Sequence, residues 1–169
     1  FPPPPYGTGG LVGGYCYDAV SAPAVYRLKY RNARYLAPKL AAAVTVPQGR
    51  QWDAAVPVPL HAKRLRQRRY NQSALLAQCL AERLSMPVLA ALERTRDTRS
   101  QTTLAGEQRI KNVREAFRVT ADVTGLRLLL VDDVITSGAT LQECAKTLKS
   151  AGAAAVFALC ACSAEKGAQ

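Results

Sequence analysis

Leu129-Leu130-Val131-Asp132-Asp133-Val134-Ile135-Thr136-Ser137-Gly138-Ala139-Thr140 decides the reading of this chain. The apolar run 126–131 predicts a buried strand, and two adjacent carboxylates end it. A short loop of hydroxyls and glycine follows, and then helical spacing over residues 139–150, with Gly152 as the terminator. Amides at a helix start lack intrahelical partners and, with the helix dipole, suit a phosphate. Thr136, Ser137, Gly138, Ala139 and Thr140 are therefore the candidate phosphate cradle, with three hydroxyl donors and a glycine that lets the backbone approach an anion. The same five residues also fit a plainer role, in which Thr136 or Ser137 caps the helix and Gly138 makes a turn. Asp132 and Asp133 shift the balance, because neighbouring carboxylates repel and cost desolvation unless something binds them. A ribose 2′,3′-diol can donate to such a pair, and Mg²⁺ can approach it partly through water. The plain alternative is two solvated loop acids.

Outward from this stretch, residues 1–14 are rich in Pro and Gly and are expected to be irregular, a linker or the remnant of a truncated N-terminal part. One domain is expected over residues 15–169. Residues 15–19 can form a strand, and 24–44 have helical spacing that Pro38 breaks or kinks. Residues 54–60 form a short apolar strand whose pairing Pro57 and Pro59 should stop, and a basic loop follows. Asn71 is the N-cap of a helix running to about residue 84, with Leu75, Leu76, Leu80 and Leu84 inward. Residues 86–89 start another strand, 94–106 read as a flexible loop, 107–116 as a short helix, and 117–119 and 154–162 as strands. Strands alternating with helices predict an α/β fold with a mostly parallel sheet flanked by helices. Ligands of such sheets sit at the carboxyl ends of the strands, where Asp132 and the loop after it lie.

The 169 residues carry 23 Lys and Arg against 12 Asp and Glu, a net charge of +11 that favours phosphorylated metabolites, nucleic acid or both. Lys63, Arg64, Arg66, Arg68 and Arg69 form one basic cluster and a candidate nucleic-acid contact; a looser one runs from Arg94 to Arg114. Tyr26, Tyr30, Tyr35, Tyr70 and Trp52 sit among basic residues, where stacking on bases and ordinary packing both explain them. His61, the sole histidine, lies where a loop leaves a strand, so a pyrophosphate contact or proton transfer is conceivable, as is an incidental place. Five scattered cysteines include no C-x-x-C pair and read as small buried residues in a reducing cytoplasm, none of them a metal ligand. No apolar run approaches the roughly 20 residues that span a bilayer, so no membrane insertion is expected.

Residues 128–140 resemble the phosphoribosyl pyrophosphate (PRPP) signature of the type I phosphoribosyltransferases: aliphatics, two acids, two variable residues, then a hydroxyl-Gly-x-Thr-like loop. Several further segments resemble the ComF (GntX-like) branch of that fold. They are Tyr26-Arg27-Leu28-Lys29-Tyr30, Val56-Pro57-Val58-Pro59-Leu60, the Arg-rich segment, Tyr70-Asn71-Gln72, and Gln101, Leu104, Arg109, Asn112, Val113 and Ala116-Phe117. The likeness covers most of residues 15–162. It implies Asp132 and Asp133 on the ribose hydroxyls, with Mg²⁺ nearby, and residues 136–140 on the 5′-phosphate. It also implies Leu60, His61 and Ala62 beside the pyrophosphate with Arg64 or Arg68, and Arg109 on a flexible hood loop that closes over PRPP. Members are associated with competence, the uptake of DNA for transformation. They usually carry an N-terminal cysteine-rich zinc module; no such cluster is legible here, so zinc is not expected in this chain, and Phe-Pro-Pro-Pro-Pro at the start favours trimming. The branch's Arg-Gly-Phe-Asn-Gln stands here as Arg69-Tyr70-Asn71-Gln72, without the glycine.

Two functions follow from the resemblance. The first is a transferase that binds Mg²⁺–PRPP, lets pyrophosphate leave C1 and passes the phosphoribosyl group to a nitrogen acceptor. The second is a non-catalytic PRPP sensor or a module that binds single-stranded DNA or a competence protein, such as a helicase or recombination mediator.

Overall fold

The computed structural model describes residues 11–16, 21–46, 49, 51–97 and 115–163. Strands β1 (Leu11–Cys16), β2 (Ala54–Pro57), β5 (Arg127–Ile135) and β6 (Ala155–Ser163) form a sheet in the order β1-β6-β5-β2, with every pair parallel. A separate antiparallel ribbon joins β3 (Leu92–Arg94) to β4 (Phe117–Val119). The helices are α1 (Ser21–Tyr30), α2 (Ala37–Ala42), α3 (Ala62–Arg68), α4 (Gln72–Leu84) and α5 (Ala139–Ser150), with a 3₁₀ turn at Arg34–Leu36.

The central strand explains the layering. Residues 128–131 are all buried, and the two-residue period of a strand sends them alternately to either face. Leu128 and Leu130 pack with Val56, Leu141, Cys144, Leu148 and Phe117; Leu129 and Val131 pack with Val25, Leu28, Leu40, Leu76 and Leu80. Thus α5 and the ribbon cover one face, and α1, α2 and α4 cover the other. This is the expected α/β architecture with a parallel sheet between helices.

Several expectations shift in detail. The N-terminal strand starts at Leu11, within the stretch expected to be irregular, because it pairs along β6 from Leu11↔Ala158 to Cys16↔Ser163. The helical spacing of 24–44 breaks at residues 31–33, where Asn32 takes φ +51°; Pro38 then sits in the first turn of α2, where its missing N–H costs nothing. The basic segment after β2 is not a loop but α3, capped by His61 and ended by Arg69 at φ +65°. Residues 86–89 supply only a bridge, Val88 to Ala55, with Leu89 N–H donating to Ala55 O and Ala55 N–H to Pro87 O. Arg94 ends strand β3 and is no part of a loop. Residues 98–114, which hold most of the expected hood loop and the short helix, lie outside the described residues.

Two expectations hold closely. Asn71 caps α4, its Oδ1 accepting from Ser73 N–H at 3.0 Å, and α5 spans residues 139–150. Gly152 follows α5 at φ +97°, a conformation that strains any side chain. No helix among the described residues is long and apolar enough to cross a membrane.

Candidate functional site

Strand β5 does not stop at its acids. Val134 and Ile135 are β-branched and keep pairing with Cys162 and Ser163 of β6, so Asp132 and Asp133 belong to the last turns of the strand and not to a free loop. Asp133 is buried, and Asp132 is half-buried. Carboxylates placed this deep need partners, and α4 and α1 supply them. Gln72 Nε2 donates to Asp133 Oδ2 at 3.0 Å, and Ser73 Oγ donates to Asp132 Oδ1 at 2.9 Å. The Asp133 amide also donates to Asp132 Oδ1, at 2.8 Å. Lys29 Nζ of α1 lies 3.1 Å from Asp133 Oδ1.

This asymmetry separates the two acids. Asp133 has a cation against it. Asp132 keeps part of its surface open yet is crowded by protein, and that burial, with the Asp133 charge beside it, pushes its pKa up to about 7; the Asp133 amide, Lys29 and Ser73 pull the other way. For Lys29, burial favours the neutral amine, but Asp133 and Asp132 more than offset it and the pKa is raised. Lys29, Gln72 and Ser73 were not singled out as site residues from sequence. The available signal was the demand itself: paired acids at the end of a buried strand require donors, and Gln72 and Ser73 open the helix that Asn71 caps.

The loop after β5 leads straight into α5. Gly138 is its N-cap at φ +71°, ψ −5°, in the left-handed region that favours glycine, while a Cβ there would meet nothing nearer than Gln142 Nε2 at 3.7 Å. The glycine is thus required by backbone conformation, not by a close approach. Ser137 Oγ accepts from Ala139 N–H at 3.5 Å, the outer limit of a hydrogen bond, so the cap that Ser137 provides is weak. Ala139 is buried, and Thr136, Ser137, Gly138 and Thr140 are half-buried at the rim.

The second wall comes from the end of β2. Val58 N–H donates to Val131 O at 2.9 Å, and Asn71 Nδ2 donates to Val58 O at 2.9 Å, which pins the start of the 58–62 segment beside the carboxyl end of β5. Leu60 and His61 are half-buried and Ala62 is exposed. His61 Nδ1 accepts from Lys63 N–H at 3.3 Å and lies 3.8 Å from Asp97 Oδ1. One nitrogen cannot both accept from the amide and carry the proton an ion pair needs, so the shorter contact defines His61 as a helix cap. Asp97 also gathers Lys63 Nζ at 3.6 Å and Arg64 Nε at 3.8 Å, tying the segment after β3 to α3. Arg68 turns towards α1, its Nη2 donating to Tyr30 OH at 3.2 Å, and Lys63, Arg66 and Arg69 are exposed.

The structure therefore brings Asp132, Asp133, residues 136–140 and residues 60–62 to one end of the sheet. Arg109, Gln101, Leu104, Asn112 and Val113 lie outside the described residues. Arg94, grouped by sequence with a basic surface, is instead buried, 5.4 Å from the Phe117 ring; burial and the Arg64 charge lower its pKa. The aromatic residues divide. Trp52 packs on Phe157 with ring centroids 5.6 Å apart, and the Tyr70 hydroxyl is buried and donates to Leu28 O. Tyr26, Tyr30 and Tyr35 are exposed. Among the described residues no group of three or more His, Cys, Asp or Glu side chains forms a metal cage, and Cys79, Cys144, Cys160 and Cys162 form no disulfide with one another.

Residues 71–169 match the phosphoribosyl transferase domain, and the chain belongs to that family. Among curated proteins it is 41% identical over 111 residues to the DNA utilization protein YhgH of Escherichia coli K12, an alignment covering 65% of this chain and 49% of that protein. It is 38% identical over 104 residues to competence protein F of Haemophilus influenzae, covering 59% of this chain and 45% of the relative. The chain spans about half the length of the curated relatives it matches. Among solved structures, the glutamine PRPP amidotransferase of Bacillus subtilis superposes with a TM-score of 0.50 at 24% identity, over 76% of this chain and 25% of that one. That likeness bears on the fold, which is the type I phosphoribosyltransferase fold.

Proposed function

We propose that the chain binds PRPP at the carboxyl end of β5. The observation that carries this reading is the juxtaposition of half-buried Asp132 with a helix start at Gly138 whose Ser137 cap is weak, opposite the 60–62 segment. In this reading Asp132 accepts from the ribose hydroxyls, and the amides of residues 137–140 hold the 5′-phosphate. Leu60, His61 and Ala62, with Arg64, flank the pyrophosphate. Mg²⁺ fits this donor set in its usual manner, through one or two carboxylates together with substrate phosphate oxygens and water, and would supply charge neutralisation for the departing pyrophosphate. Transfer would break the C1–O bond, with the electron pair leaving on pyrophosphate, and form a bond from C1 to a nitrogen acceptor. The chain's own part is positioning and electrostatics. Titration calorimetry with Mg²⁺–PRPP, followed by pyrophosphate release with a panel of nitrogen acceptors, tests binding and turnover separately. Binding without release on any acceptor favours a sensor over an enzyme.

A second reading rests on exposed residues of α1, the 3₁₀ turn, α3 and the turn after it. Lys63, Arg66 and Arg69 are exposed there, as are Tyr26, Tyr30 and Tyr35. Cations interleaved with aromatic rings suit single-stranded DNA, bound through phosphates and stacked bases. The relatives' names, DNA utilization protein and competence protein, favour a role in DNA uptake, with a helicase or recombination mediator as a protein partner. Cysteines that form no disulfide with one another fit a cytoplasmic setting. Affinity for an oligothymidylate that does not fall with salt, or that survives neutralisation of Lys63, Arg66 and Arg69, would remove this reading.

A further inference from the structure

A cavity of about 470 Å³ opens between α1 and α3. Lys29 and Tyr30 line it from α1, Arg64 and Arg68 from α3, and Arg69 from the turn after α3. No carboxylate is among the described residues that line it. Lys29 and Arg64 each have an acid behind them, Asp133 at 3.1 Å and Asp97 at 3.8 Å. Arg68 and Arg69 have no ion pair among the described residues. Arg68 is held in place by Tyr30, lying 5.0 Å above its ring and donating to its hydroxyl. Four cations around one cavity repel one another, and an anion in their midst relieves that repulsion. The volume lies in the range of small-ligand sites. Asn32 and Gln67, also on the wall, offer paired amide donors and acceptors that the edge of a base can use and inorganic phosphate cannot.

We propose that this cavity binds the phosphate of a nucleotide, either free or at the 5′ end of a strand, and that Lys29 couples it to the carboxylates of β5. Lys29 is the only one of the four cations that also contacts the acid pair, and its flexible stem and three donors let it exchange partners. An anion in the cavity draws Lys29 from Asp133 and leaves Asp133 to accept from a ribose hydroxyl. Binding at either place then favours binding at the other, because linkage is reciprocal. The coupling rests on the PRPP reading of the β5 site; the cavity itself does not.

The test is calorimetry on the whole chain with thymidine 5′-monophosphate, thymidine, and Mg²⁺–PRPP in the presence and absence of saturating monophosphate. The monophosphate is expected to bind at least tenfold more tightly than thymidine. Arg69→Asn should weaken it at least about fivefold, and asparagine tolerates the left-handed backbone at this position, which keeps the fold. PRPP affinity should rise about fivefold or more with the monophosphate present, and Lys29→Met should abolish that rise. Equal binding of thymidine and its monophosphate, or indifference to Arg69→Asn, overturns the cavity assignment. Unchanged or weakened PRPP affinity with the cavity filled overturns the coupling. Monophosphate binding that obeys these rules while PRPP never binds leaves the cavity standing and removes the PRPP reading instead. A 5′-phosphorylated oligothymidylate binding more tightly than the mononucleotide identifies a strand end as the occupant; the reverse identifies a free nucleotide, and either supports the site.

Discussion

The β5–α5 region and the α1–α3 region carry the chain's chemistry in opposite ways. The first is contiguous: a dozen residues contain the buried strand, the acids, the left-handed glycine and the helix start. The second is assembled across distance, with Lys29 and Tyr30 meeting Arg64 and Arg68 some 38 positions away in sequence. The first region presents acids and amides, the second cations and phenols. Beyond the apolar packing of α1 on β5, they are joined among the described residues by one ion pair, Lys29 to Asp133. A local motif can thus be recognised from its residues alone, whereas a composite surface becomes visible only when helices are packed.

The largest expected effect breaks that contact. Asp133→Asn leaves the mostly buried Lys29 ammonium without its partner and should cost roughly 3 kcal/mol of stability. Asp132→Asn should cost far less, since Asp132 has no cation in direct contact among the described residues. Denaturant unfolding of both variants measures the difference, and equal losses would contradict the distinct roles given to the two acids.

Next comes a pH effect of the same origin. The folded-state pKa of Asp132, about 7, lies above its ordinary value of 3.8. The folded chain therefore holds a proton that the unfolded chain has lost between about pH 4 and pH 7. Stability should fall as pH rises through this window, by about 1–3 kcal/mol, and level off above it. Asp132→Asn should flatten the profile, and Mg²⁺–PRPP affinity should rise as Asp132 ionises near pH 7. An unfolding free energy that climbs over the same window would contradict the assignment.

The cap of α4 bears on both regions, because Asn71 sits between α3 and the donors Gln72 and Ser73. Asn71→Ala removes the acceptor for Ser73 N–H and the donor to Val58 O, at an expected cost of about 1–2 kcal/mol. Thermal unfolding measures it, and a loss no larger than that of an exposed alanine substitution would deny the cap its role. The smallest expected effect is Gly138→Ala. Space exists for the methyl, so only the left-handed strain of about 1 kcal/mol remains, with some weakening of phosphate binding. A much larger loss of stability would mean that the loop is crowded after all.

How far the sequence revealed these features follows from the same contrast. The parallel sheet, the strand up to residue 131, the cap at Asn71 and helix α5 were legible because each is set by neighbouring residues: an apolar run, a capping side chain, a glycine that takes φ above zero; that the strand continues through the acids to Ile135 was not, because the pairing comes from β6. Helix α3 was not, because Lys63-Arg64-Leu65-Arg66-Gln67-Arg68 has one apolar side chain and no buried face, so no periodicity marks it. Strand β3 is three residues long and gains its pairing from β4, some 25 positions on. The break near residue 32 was placed too late, since Pro38 is tolerated in a first turn and the interruption comes from left-handed Asn32. The partner of the acids was missed for the same reason: nothing beside Lys29 in the sequence announces a carboxylate one hundred residues away.

The most direct test of the central claim is calorimetry of Mg²⁺–PRPP at pH 8, where Asp132 is ionised, with the natural chain and with Asp132→Asn in parallel. Saturable binding to the natural chain, lost in a variant that unfolds no more easily, is the expected result. No binding by the natural chain, or equal binding by both, would contradict the claim that the end of β5 grips a phosphorylated ribose.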